Sequence, residues 1–279
     1  IGYWLKNYIY QSLKIFQQLE YIFLNKKIDS VLLNDCERFN FIKENTQSFA
    51  EAHALDLDWY YCYFSKIIHF FEKNFSKKMI IKNVEVSINN HQKKIKGKKN
   101  FYENILYFIQ RVPKNSNNAF ISHTYLPFFQ EKKLELIFNQ IPNYYNTSYY
   151  KNDLPINTEL RKRYSNLLIS KDKNLENFIY SNIFNFIPKS FLENFKYNLK
   201  MSKSNSFPKN PNFIFTSSLN FFDEIFKVYA ACQLKNNSSI FIGQHGNNYF
   251  SKIHNNYLPE FNYATTFLSW GYESSRFKN

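Results

Sequence analysis

The chain has 279 residues, 44% of them hydrophobic and 20% aromatic, enough to bury the core of one large domain or two small ones. No apolar run approaches the roughly 18 to 20 residues that a membrane-spanning helix needs. The net charge of +14 at pH 7 favours anionic partners such as phosphate groups, nucleic acid or an acidic membrane face. A second explanation stays open: Lys, Asn, Ile, Phe and Tyr are abundant together while Gly numbers only 5, as in a coding sequence drifted toward AT-rich codons. Cys36, Cys62 and Cys232 are odd in number and widely spaced. They suit a reducing, cytoplasmic setting better than a disulfide framework. The opening residues, beginning at Ile1, lack the ordered regions of a signal peptide, and the chain reads as a fragment or processed product.

Taken in order, Leu5, Ile9, Leu13, Phe16, Leu19 and Phe23 recur at helical steps and predict one core-facing stripe. Residues 28–33 predict a short strand. Asp58 then stands before Trp59, Tyr63, Ile67, Phe71 and Phe75, a second helix with an aromatic stripe and an acidic start. On it, Cys62 and His69 read as packed or solvated. Residues 79–81 form a weak strand candidate. Lys93, Lys94, Lys96, Lys98 and Lys99 make the densest charge run, a solvated loop or a site facing phosphate or membrane. Aromatic side chains are not interleaved with these lysines, so nucleic acid is not an expected partner.

Ala119, Phe120 and Ile121 predict a strand that ends in Ser122-His123-Thr124-Tyr125. Two readings of His123 stay open, a hydrogen-bonded core residue or a member of a cleft. Residues 132–138 predict a helix ended by Pro142. From Tyr144 to Asn174 the chain is mostly polar, and Arg161, Lys162 and Arg163 stand together in it. An aromatic helix follows over 178–186, closed by Pro188, and residues 200–211 read as a loop.

The most informative stretch comes next. Asn212 to Phe215 predicts a buried strand running into Thr216-Ser217-Ser218. Phe222, Ile225, Phe226, Tyr229 and Ala230 then share a helical face, opened by an Asn220/Asp223 capping pair. Ile240, Phe241 and Ile242 predict a second buried strand, which ends in Gly243-Gln244-His245-Gly246. Strand, helix and strand over about 35 residues is the size of a βαβ crossover. Ligands collect outside the carboxyl ends of such strands. His245 sits there, with a side chain that exchanges protons near neutral pH. Gly246 permits a sharp turn beside it. Trp270 and Tyr272 read as packing residues. The chain contains no P-loop, no Rossmann glycine fingerprint and no Gly-x-Ser-x-Gly elbow, and its histidines lack metal-ligand spacing. No cofactor and no metal are expected.

The strand, Thr-Ser, acidic helix, strand and Gly-Gln-His-Gly series, followed by Glu260 and by Phe267 to Tyr272, resembles a family of bacterial transferases. That family is associated with surface-carbohydrate biosynthesis and related to the GT-B glycosyl and glycerophosphate transferases. Gly2-Tyr3-Trp4-Leu5 resembles its Gly-Pro-Trp-Leu helix start, and residues 58–68 resemble its Trp-Asn-His helix. Tyr125-Leu126-Pro127 and the stretch 134–142 resemble a further block. The family tends to read Gln-His-Gly-Gly-x-Tyr-Gly; this chain departs from it by carrying Asn247 and Phe250 in place of glycines.

The resemblance implies an α/β fold, with a Rossmann-like lobe of a GT-B-type transferase over 116–279 and a helix-rich part of the acceptor lobe over 1–115. A donor-binding lobe is expected beyond 279, so residues 1–279 by themselves are expected to be inactive. It implies transfer of a sugar or sugar-phosphate from a nucleotide-activated donor to a glycan or lipid-linked acceptor, at the cytoplasmic side of the inner membrane and in peripheral contact with its anionic surface. His245 becomes the general base on an acceptor hydroxyl, or the donor of a proton to the departing phosphate. Thr216, Ser217, Gln244 and Gly246 become substrate-binding, with His123 in the same cleft. Glu260 orients His245, contacts a substrate hydroxyl, or is a plain surface carboxylate. Two other classes remain in play: a non-catalytic scaffold, supported by Asn247 and Phe250, and a basic membrane-surface or nucleic-acid binding module, supported by charge.

Overall fold

The computed structural model describes residues 1–34, 36, 39–74, 80–84, 118–142, 154–167, 175–204, 207–246, 249 and 259–271. The lysine run at 93–99, Phe75, Asn247, Phe250 and Tyr272 lie outside the described residues. The chain is a mixed α/β protein. It runs α1 (Gly2–Asn25), β1 (Ser30–Asn34), α2 (Thr46–Leu55), α3 (Leu57–Asn74), β2 (Ile80–Val84), β3 (Ala119–Ile121) and α4 (Phe128–Ile137). It continues through α5 (Thr158–Ser165), α6 (Leu175–Phe186), α7 (Phe195–Met201), β4 (Phe213–Thr216), α8 (Leu219–Phe222), α9 (Glu224–Lys235), β5 (Ser239–Gly243), α10 (Glu260–Tyr263) and β6 (Thr266–Leu268). Two compact units share it: Ile1–Lys94 with Leu154–Glu193, and Ile95–Asp153 with Asn194–Asn279. Among the described residues no helix is long and apolar enough to cross a membrane.

The first unit is an aromatic helical core beside a two-stranded parallel sheet of β1 and β2. α1 exists where predicted, but its buried face is Trp4, Tyr8, Ser12, Ile15, Phe16, Leu19 and Phe23, with Tyr3 beside it. Ile9 and Leu13, expected inside, are 39% and 37% exposed. The stripe turns because aromatic rings and one satisfied hydroxyl fill the core better than the aliphatic row. Ser12 donates to the Tyr8 carbonyl at 2.7 Å and pairs with the Tyr63 hydroxyl, so burying it leaves no polar group unpaired. Tyr8 donates to the Ile179 carbonyl at 3.2 Å, and its ring stacks on Trp4 with centroids 5.5 Å apart. Burial pushes both the Tyr8 and Tyr63 hydroxyls up from their ordinary range.

α3 buries Trp59, Tyr63 and Ile67 completely, as its spacing predicts. Asp58 lies in its first turn, the expected acidic start, and Asp56 caps it: the Asp56 carboxylate accepts from the Trp59 N–H at 3.0 Å. Cys36 and Cys62 form a disulfide with Cα atoms 5.3 Å apart, which corrects the expectation of free thiols; Cys232 remains free. Twenty-six residues separate the two cysteines, and only the packing of α3 beside β1 brings them together.

The polar stretch around residue 160 carries α5, and Arg161 is buried in it. Its Nε and Nη2 each donate to a Glu193 carboxylate oxygen at 2.7 Å, and Nη1 donates to the Phe184 and Ile187 carbonyls at 2.8 Å. Burial pushes the Glu193 carboxyl up, but hydrogen bonds from Arg161 and from backbone N–H groups, with the guanidinium charge, bring it below its ordinary value.

The second unit is built on a four-stranded sheet in the order β3-β4-β5-β6, every neighbouring pair parallel. Phe120, Ile214 and Ile240 stand side by side across it and are fully buried. α9 lays Ile225, Phe226, Tyr229 and Ala230 in the same core, which matches the predicted βαβ unit. The helix is broken into α8 and α9, because Asp223 is itself the cap and accepts from the Phe226 N–H at 2.8 Å. Asn220, expected to open the helix, is buried in α8 instead. At Gly243 a Cβ would collide with Ser217 Oγ, so only glycine fits the end of β5.

Two outcomes test this packing. Arg161→Ala leaves the Glu193 carboxylate buried without its partner and lowers unfolding stability by about 3–5 kcal/mol in urea denaturation; stability equal to the parent's overturns the buried-pair reading. Gly243→Ala destabilises by about 1–3 kcal/mol through overpacking. Ser217→Ala, which removes the clashing oxygen, recovers part of that loss in the double variant. Additive losses instead show that the clash is not the cause.

Candidate active site

Parallel strands end on one edge, and three polar segments gather there. β3 runs into Ser122–Tyr125, β4 into Ser217–Ser218, and β5 into Gln244–Gly246. The sheet's hydrogen bonding continues into them. Ser122 N–H donates to the Phe215 carbonyl at 3.1 Å, Ser217 N–H to the His123 carbonyl at 3.0 Å, and Gln244 N–H to the Leu268 carbonyl at 2.8 Å.

Beneath the surface lies a shell of satisfied polar groups. Thr216 Oγ1 accepts from the N–H groups of Ser218 and Leu219 at 3.3 and 3.2 Å, which holds the start of α8. Ser217 Oγ donates to the Thr124 carbonyl at 3.1 Å. The Glu131 carboxylate accepts from Thr124 N–H at 2.9 Å and Thr124 Oγ1 at 2.7 Å. Burial pushes Glu131 up, yet these hydrogen bonds and the charge of Lys132, whose ammonium is 3.3 Å away, bring it below its ordinary value. Gln244 closes its own turn: Nε2 donates to the Gly246 carbonyl at 3.0 Å, while Oε1 accepts from Trp270 N–H at 2.8 Å. Gly246 takes φ 77°, a left-handed angle that favours glycine.

Glu260 is fully buried and accepts from the Tyr249 hydroxyl at 2.8 Å. A backbone hydrogen bond from His245 reaches the same hydroxyl, and burial with the Glu260 charge pushes that phenol far up. The link from Glu260 to His245 therefore runs through Tyr249. Thr216, Ser217, Gln244 and Glu260 are all inside the protein, with polar atoms engaged by it.

What faces outward is His245. Its Nδ1 lies 2.6 Å from the Tyr125 hydroxyl and its Nε2 3.4 Å away from it. The Tyr125 ring stacks on the imidazole at 5.1 Å and 15°, and Phe221 leans on it at 4.8 Å. Partial burial holds the His245 pKa below its ordinary 6.5, so the ring is neutral at neutral pH and offers a lone pair. His123 is half-buried, with Nδ1 2.8 Å from Ser122 Oγ and its ring edge-on to Phe222. Burial lowers its pKa, Glu131 partly opposes that, and Lys132 reinforces it.

Tyr125, whose sequence signal is confined to a short family block, is the residue that meets His245. Its left-handed φ of 63°, like the 55° of His123, has no signal in a stretch without glycine. Trp270, expected to pack, is 59% exposed. Among the described residues no group of three or more His, Cys, Asp or Glu could hold a metal ion.

His53, His123 and His245 all have pKa values lowered chiefly by burial. Each binds fewer protons folded than unfolded between its folded value and 6.5. Their contribution to stability is thus complete above pH 6.5 and is lost as pH falls through the folded values. The urea midpoint is expected to drop between roughly pH 7.5 and pH 5.5; a midpoint unchanged or higher at the lower pH contradicts the assignment.

Comparison with known proteins finds no match among the curated proteins and none among the solved structures. A family model described as LIC12162 family transferase matches residues 1–279. The chain therefore belongs to the LIC12162 family of transferases.

Proposed function

We propose that this transferase is glycosyltransferase-like, of GT-B type, and acts in bacterial surface-polysaccharide biosynthesis at the cytoplasmic face of the inner membrane. It moves a sugar or sugar-phosphate from a nucleotide-activated donor to a hydroxyl of a glycan or lipid-linked acceptor. The observation that carries the reading is His245, an exposed and neutral imidazole at the carboxyl edge of a parallel sheet, backed by a satisfied polar shell.

In this reaction Nε2 of His245 takes the acceptor's proton. The freed oxygen bonds to the donor carbon or phosphorus, and the bond to the departing phosphate breaks with its electron pair leaving on the nucleotide. Gly246 supports close approach beside it, since nothing lies within 4 Å of where a Cβ would stand. His123 lines the same edge, while Thr216, Ser217, Gln244 and Glu260 hold the loops that present the substrate. The net charge of +14 attracts an anionic donor and an anionic membrane surface alike.

The test pairs nucleotide-activated sugar donors with acceptor glycans in the full-length protein and follows product by mass spectrometry. His245→Ala is expected to keep the parent's circular dichroism and lose roughly 10²–10⁴-fold in turnover. The parent's rate falls as pH drops through a value below 6.5, where the imidazole takes up its proton. An undiminished rate in His245→Ala removes the base assignment, and transfer from none of the donors removes the substrate class.

A further inference from the structure

The segment that carries His245 is anchored from inside the protein, which bears on the proposed transfer and rests on His245 being its base. We propose that Tyr249 is a positioning residue: its phenol, held by the buried Glu260 carboxylate, fixes the main chain of His245 and with it the place of the imidazole.

Glu260 is fully buried, Tyr249 is buried beside it, and the phenol donates to the carboxylate at 2.8 Å. The Tyr249 ring packs against Phe267 of β6 at 5.3 Å and Phe261 of α10 at 6.1 Å, so it has a firm seat. A hydroxyl has one proton and two lone pairs. With the proton committed to Glu260, a lone pair is left for an N–H, and the His245 main chain supplies it. Burial beside a carboxylate keeps the phenol protonated, so the direction of these bonds does not change around neutral pH. Glu260 thereby acts on the site without touching substrate.

The residues on either side of His245 are held separately. Gln244 N–H donates to the Leu268 carbonyl at 2.8 Å, and Gln244 Nε2 donates to the Gly246 carbonyl at 3.0 Å. The N–H of His245 lies between these two anchors, and Tyr249 is its partner. The His245 side chain is exposed and meets the rings of Tyr125 and Phe221, so its place follows from where the main chain stands. A reacting group misplaced by about 1 Å loses on the order of 10²-fold in rate.

Amide hydrogen exchange, followed in 1H–15N spectra of the full-length protein labelled with 15N-histidine, tests this. The His245 signal is identified by its loss in His245→Gln. A second sample labelled with 15N-serine reports Ser217, whose N–H donates to the His123 carbonyl and not to Tyr249. The expected result is a protected His245 amide in the parent that exchanges about tenfold faster in Tyr249→Phe, while Ser217 keeps its rate. An unprotected His245 amide in the parent overturns the proposal, and that spectrum decides even if Tyr249→Phe does not fold. Equal acceleration at Ser217 overturns it as well, because the phenol then serves the fold as a whole. In the transfer assay Tyr249→Phe is expected to lower kcat by roughly 10–10²-fold, with KM and the acid limb of the pH profile unchanged. A kcat equal to the parent's removes the positioning role. The exchange measurement needs no donor or acceptor, so a failed transfer assay and a failed positioning assignment are separate outcomes.

Discussion

Three strands pointing the same way are the constraint on which the second unit depends. Parallel pairing aligns Phe120, Ile214 and Ile240 in one buried row and sends the chain after each strand out of the same edge. Each of those exits is polar. Because the strands are neighbours, the exits lie close enough to hydrogen-bond to one another, and the ladder continues from strand into loop. An antiparallel pairing of the same segments would send Tyr125 and His245 to opposite ends.

That arrangement separates two jobs that look alike among polar residues. Thr216, Ser217, Gln244 and Glu260 sit inside, where an unpaired polar group is costly, and their partners are backbone groups or Tyr249. They hold the loops in position. His245 and Tyr125 sit above them, where solvent reaches. Gly243 joins the layers: without a side chain it leaves room for the Ser217 hydroxyl, which donates to the Thr124 carbonyl. The reactive edge thus stands on a floor with little freedom to move.

The first unit uses the same principle in an aromatic setting. Trp4, Tyr8, Trp59, Tyr63 and Phe186 pack ring on ring, and two buried polar groups among them, the Ser12 hydroxyl and the Arg161 guanidinium, have partners within the unit. Ser12 answers to Tyr8 and Tyr63, and Arg161 to Glu193 and two carbonyls. Burying Arg161 is compatible with the fold only because the end of α6, Ile187 after it and the Glu193 carboxylate further on supply four acceptor contacts at once.

Local periodicity determined the elements that carry their own signal. The strands at 119–121, 213–216 and 239–243, the aromatic face of α3 and the crossover through α9 follow from runs and spacings along the chain. So does the position of His245 at a strand end, since that needs only the end of an apolar run. Tertiary structure decided whatever depends on which segments meet. It turned the face of α1 toward Trp4 and Ser12, because the value of a buried hydroxyl depends on Tyr63, fifty-one residues away. Cys36 met Cys62 only once α3 lay beside β1. The same is true within the site. Tyr125 and His245 are 120 residues apart, and hydrogen bonding between them is a property of sheet order and of two left-handed backbone angles, neither of which leaves a trace in the amino-acid sequence.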